Sequence, residues 1–110
     1  VVKPIDPQAA IEQMWKTSPA LAKAKSERVY LEEYRKSLKA LLMKACKEQS
    51  AVAQEREAYA DPQYLEHLKA LRVAVEEEET LKWRMVTYEA AVEVWRSQEA
   101  SNRATDRATR

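Results

Sequence analysis

The chain has no glycine and no phenylalanine, and it holds one cysteine and one histidine in 110 residues. Glycine serves positions of positive φ at little cost, so tight hairpins and many helix ends use it. Its absence weighs against a β-rich fold. It also excludes the Walker and Rossmann loops, whose glycines let backbone N–H groups cradle phosphate. Cys46 has no partner for an intrachain disulfide, which fits a reducing compartment. No apolar run approaches the ~20 residues that span a bilayer, and the N-terminal residues lack the apolar core of a signal peptide. A cytoplasmic protein is the expectation. The net charge of +1 carries no message about nucleic acid by itself.

Charge of both signs and strong helix formers fill the space. Charged residues make up 34% of the chain, and the strong helix formers Ala, Leu, Glu, Lys, Arg and Gln dominate the whole. So polar a chain invites a disordered reading. Three Trp, five Tyr and regularly spaced Leu and Val argue for a folded one. The expectation is an all-α protein forming one domain over residues 1–110.

Proline supplies the punctuation. Asp6-Pro7, Ser18-Pro19 and Asp61-Pro62 each set a capping residue before a proline. The side-chain oxygen accepts from free N–H groups, and proline at the first helical position loses no helical bond. Three such pairs predict a short helix over 7–16, a long helix over 19–60 and another over 62–101. A basic tail, 102–110, follows. The Asp61-Pro62 pair predicts the reversal of a long antiparallel hairpin, coiled-coil-like in character.

The first long helix carries a seam through Leu31, Tyr34, Leu38, Leu41, Ala45 and Val52. The second carries Tyr64, Leu71, Ala74, Leu81, Met85, Tyr88, Val92 and Trp95, again in steps of three and four. Trp83, Val86, Ala90 and Val94 make a second stripe, well round the helix from the first. A helix apolar on two sides needs two partners. Ile11, Met14 and Trp15 of the short helix would cover part of this stripe, and a second copy of the chain the rest. A dimer with a four-helix core is therefore expected.

Glu76-Glu77-Glu78-Glu79 is the most conspicuous local run. Glu76 and Glu79 have the ExxE spacing of helical nucleotide pyrophosphohydrolases that hold Mg²⁺, and Glu89 with Glu93 would supply a second pair. The second acidic motif of such sites is missing. The alternative is structural: folding the chain back at residue 61 sets position i opposite roughly 120 − i. That places the glutamates against Arg35, Lys36, Lys39, Lys44 and Lys47, a charge pairing that sets register. His67 lies beside Glu66 with no second ligand at metal spacing and reads as a seam or surface residue. Cys46, in a Leu/Ala stretch, reads as a small buried hydrophobe. With one histidine, no Ser/His/Asp set can be assembled. No catalytic constellation, metal site or cofactor site emerges, and the protein is expected to be non-enzymatic.

Beyond Trp95 no apolar residue larger than alanine occurs. If helix continues there, Arg96, Arg103 and Arg110 fall on one face at steps of seven, with Arg107 beside them. Such a stripe suits phosphate and equally suits a solvated helix end. Lys36 and Lys39 in the earlier basic stretch are the other candidate nucleic-acid contacts. Trp83, Tyr88 and Trp95 would serve base stacking, although their helical spacing points first to the core.

The phrases Arg56-Glu57-Ala58-Tyr59-Ala60-Asp61-Pro62, the glutamate run, and Val94-Trp95-Arg96-Ser97-Gln98-Glu99-Ala100-Ser101 resemble small helical proteins of temperate bacteriophages and prophages. These are commonly encoded beside single-strand-annealing recombinases and exonucleases. The likeness covers about the last two thirds of the chain and carries no catalytic motif. It implies a setting in phage DNA metabolism and assigns no functional residue. The resulting expectation is an oligomeric accessory factor in phage recombination or host interaction, acting through protein contacts. Its partner or oligomer face would be Trp83, Val86, Ala90, Val94 and Trp15. The alternative is a DNA-binding protein, and a third reading is a Mg²⁺-dependent nucleotide hydrolase.

Overall fold

The computed structural model describes residues 4–109. The chain is an all-α antiparallel helical hairpin, built from α1 (Pro7–Ala45), α2 (Ala51–Ala60) and α3 (Pro62–Thr109). Two of the expected caps form. Asp6 Oδ1 accepts from the N–H groups of Gln8 at 3.0 Å and Ala9 at 3.1 Å. Asp61 Oδ1 accepts from the Gln63 N–H at 2.8 Å. Each satisfies donors that have no partner in the first helical turn.

The third expected start does not form, because Pro19 lies inside α1. The short helix over 7–16 and the beginning of the long one are a single helix. Proline's fixed φ suits a helix; what it removes is the one hydrogen bond to the carbonyl four residues back. That carbonyl belongs to Trp15, on an exposed turn of α1 where water can serve it. Thr17, buried just before Pro19, and Leu21, half-buried just after it, keep the helix packed through the break.

A break appears instead at 46–50, where the expectation had continuous helix to residue 60. There Ser50, in extended geometry, caps α2 by accepting from the Ala53 N–H at 3.1 Å. The reversal of the hairpin is here, not at Asp61. Lys39 of α1 meets Glu55 and Tyr59 of α2; further back, Tyr34 meets His67, and Arg28 meets Glu78. Partner numbers rise through both α2 and α3 as α1 numbers fall. Asp61 is therefore a kink within the returning arm, with φ −66° and ψ 135°. At the other end α3 runs helical to Thr109, so the described part of the expected tail is helix.

The chain divides into two compact units, one of 22–79 and one of the segments before and after it. In the 22–79 unit the buried apolar side chains are Ala24 and Leu38 of α1, Ala58 of α2, and Tyr64 and Ala74 of α3. Leu31 and Leu42 join them half-buried. The expected α1 seam was right at Leu31 and Leu38. Tyr34, Leu41, Ala45 and Val52 are exposed, because the seam steps from Leu38 to Leu42 and the chain turns after Ala45. In the other unit, Ala10, Met14, Thr17 and Leu21 of α1 are buried or half-buried. Leu81, Met85, Tyr88, Val92 and Trp95 of α3 are half-buried with them. The small Ala10 and Thr17 on α1 alternate with the larger Met14 and Leu21 against the bulky side chains of α3, which fill the space between the helices.

Candidate functional site

Glu78, third in the glutamate run, is 2% exposed and lies in the seam. Its carboxylate takes the Arg28 guanidinium in a fork, accepting from Nε and, at 3.2 Å, from Nη2. Arg28 Nη1 also donates to Glu32 at 2.9 Å on its own helix. These two carboxylates, Glu78 first, push the guanidinium pKa further above its usual value, so Arg28 stays charged at every working pH. The run is thus partly structural, as one reading held, but its partner differs. Register is set by the reversal at 46–50, which brings Glu78 to Arg28 and sends Lys39 to Glu55. The pairing of the run with Arg35, Lys36, Lys39, Lys44 and Lys47 is overturned. Among the described residues no three His, Cys, Asp or Glu side chains gather where a metal ion would bind.

His67 is also in the seam, 9% exposed, with Nε2 donating to the Leu31 carbonyl at 2.6 Å. Its ring leans on Tyr34, centroids 5.5 Å apart. The hydrogen bond fixes the ring as a helix-to-helix strut. Cys46 is half-buried in the reversal, not in a core.

The apolar stripe of α3 stands clear of the seam. Trp83 is 67% exposed, Val86 and Val94 are about half exposed, and Ala90 is exposed as well. The N-terminal segment does not cover it: Met14 serves the seam, while Trp15 is 78% exposed and Ile11 also faces solvent. Ile11, Met14, Trp15, Ser18 and Met85 line a separate apolar groove of about 360 Å³. Trp83 and Trp15 thus both remain uncovered, each on its own helix.

Comparison with protein-family models, curated proteins and solved structures found no match to the chain. The site must be read from its own geometry.

The cationic candidates separate into two places. Arg96, Arg103 and Arg107 are exposed on helical backbone, Arg96 pairing with Glu93 at 3.0 Å. Arg110 lies outside the described residues. Lys36 and Lys39 instead line a groove of about 540 Å³ with Arg35, Ala40, Met43, Tyr59 and Tyr64. The Lys39 ammonium sits 4.8 Å from the Tyr59 ring centroid and 3.3 Å from Glu55. Contact with Tyr59, and after it Glu55, raises its pKa above the usual 10.5, with partial desolvation opposing. Sequence reading missed Arg35, Tyr59 and Tyr64 as members of one site. Only the position of the reversal brings α2 beside them, and nothing local announces it.

Proposed function

We propose that the chain is a non-enzymatic interaction protein that self-associates through the outer face of α3 and works by surface contact. The observation that carries this reading is the exposed stripe of Trp83, Val86, Ala90 and Val94 on a helix whose other side is already packed. An apolar row of that length, with an indole at one end, is costly to leave in water. A second copy is the occupant the stripe itself suits. The same face continues through Ser97 and Ser101, so an antiparallel copy sets the bulky Trp83 over small residues, a self-complementary arrangement of the kind a two-fold dimer requires. The setting implied by the sequence resemblance is phage DNA recombination or host interaction in the cytoplasm. Among the described residues no helix is long and apolar enough to cross a membrane.

Light-scattering mass of the full chain tests the reading. The expected result is a dimer or larger species, and a monomer for the paired variant Trp83→Glu/Val94→Glu with unchanged helical content. A wild-type monomer at all concentrations overturns it.

A second reading, contact with DNA, is favoured by the helical continuation of α3 to Thr109. Arg96, Arg103 and Arg107 then project within one third of the helix circumference, spaced along a backbone groove. Its test is the same mass measurement with single-stranded DNA, where binding at low salt must weaken steeply as salt rises.

A further inference from the structure

We infer that the groove between α1 and the α2–α3 junction binds a nucleoside phosphate, either free or as one unit of a single strand. The inference is independent of self-association, since none of the groove's residues belongs to the α3 stripe.

The first support is a contrast between two arginines. Arg28 and Arg35 lie seven residues apart on α1, in the same helical register. Arg28 has two carboxylates to satisfy its guanidinium. Arg35 forms no ion pair among the described residues, and it lines the groove as an exposed side chain. No carboxylate lines that groove. Lys36, beside it, holds Glu33 at 3.4 Å across two exposed side chains, a contact worth little and readily exchanged. The Arg35 guanidinium fork, with Lys36 lining the same groove, matches the several oxygens and the charge of a phosphate better than a single carboxylate.

The second support is the opposite wall. Tyr64 is 7% exposed and meets Tyr59 edge to face, ring centroids 5.2 Å apart. Lys39 holds Tyr59 from its other contact. The aromatic wall is therefore fixed before any ligand arrives, across the kink that Asp61 caps. Ala40 and Met43 add apolar lining, and a methionine sulfur packs well against a flat π system. Cationic and aromatic side chains lining one groove describe a ligand with an anionic group and a flat body. A volume of about 540 Å³ falls within the range of small-molecule sites.

Isothermal calorimetry on the full chain tests this with deoxyadenosine monophosphate, inorganic phosphate, deoxyadenosine and an oligodeoxyadenylate. The expected order is tighter binding for the monophosphate than for phosphate or nucleoside alone. Arg35→Gln should weaken it roughly tenfold, the loss of one charge-assisted contact, and Lys36→Gln should weaken it less. Arg103→Gln, outside the groove, should leave it unchanged. Circular dichroism must show the helical content of each variant intact. Binding of the oligonucleotide in preference to the monophosphate identifies a strand as the source, and the reverse identifies a free nucleotide. Absence of binding for every probe, equal affinity for phosphate and the monophosphate, or indifference to Arg35→Gln overturns the inference.

Discussion

Arg28 and Glu78 lie fifty positions apart in sequence and form a two-pronged ion pair within the seam of the hairpin. Glu78 is almost wholly excluded from water, so its charge relies on the guanidinium that faces it. A slip of either helix by one turn would strand the carboxylate against apolar neighbours. The pair therefore specifies register more than it adds stability.

Truncating one partner should be far worse than replacing both. Glu78→Ala leaves Arg28 with Glu32 alone and opens a hole in the seam, and the melting temperature should fall on the order of ten degrees. The double variant Arg28→Met/Glu78→Leu should recover most of that loss, because apolar side chains of similar volume fill the same space without desolvation cost. Thermal melts of the singles and the double form a mutant cycle. Additive losses in the double would show that the two side chains do not act as a pair.

The returning arm was legible because its signals were local and repeated. Tyr64, Leu71, Ala74 and the residues through Trp95 recur in steps of three and four, and every one of them is buried or half-buried. The outgoing arm misled at two points for physical reasons. Ser18-Pro19 has the composition of a helix start, yet packing on both sides overrides a single lost hydrogen bond. The segment Cys46–Ser50 contains neither glycine nor proline, so the true reversal has no composition signature, and its cap is a lone serine. That one displacement moved the register, hid the Arg28–Glu78 pair, and concealed that Arg35, Tyr59 and Tyr64 line one groove. The exposed stripe of α3 was visible in sequence because it depends on one helix alone.

Pro19→Ala should stabilise the chain. The alanine N–H restores the missing bond to the Trp15 carbonyl, and an internal proline is disfavoured by up to about 3 kcal/mol against alanine in a helix. Part of that cost is offset by the stiffer unfolded chain that proline gives. A gain of about 1–2 kcal/mol, or several degrees in melting temperature, is expected. A loss of stability would mean that the proline shapes a bend on which the packing of α1 depends.

Alkaline pH should weaken the α1–α2 contact. Because the folded state raises the pKa of Lys39 above 10.5, the charged form is the one that folding favours. Its contribution is fully present below pH 10.5, the unfolded value, and is lost as pH rises through the higher folded value. Wild type should melt above Lys39→Met at neutral pH, and the gap should close in the alkaline range. Tyr59→Phe should narrow the gap already at neutral pH, since Tyr59 is the larger cause of the shift. A gap constant from neutral to strongly alkaline pH would remove Lys39 from this role.

The position of the reversal can be tested by insertion. Four Gly/Ser residues placed between Lys47 and Glu48 lengthen a turn that carries no seam residue, and each doubling of loop length costs only about 0.6 kcal/mol. The same insert between Ala60 and Asp61 separates α2 from α3, breaks the Tyr59–Tyr64 contact and removes the kink that Asp61 caps. The first insert should leave helical content and melting temperature nearly unchanged, while the second should lower both. Ser50→Ala, which removes the oxygen that caps α2, should cost about 1 kcal/mol. If the insert at 61 were tolerated and the one at 47 were not, Asp61 would be the turn and the Lys39–Glu55 and Arg28–Glu78 pairs would have to be abandoned together. Both pairs require α2 and α3 to run in the same sense along α1.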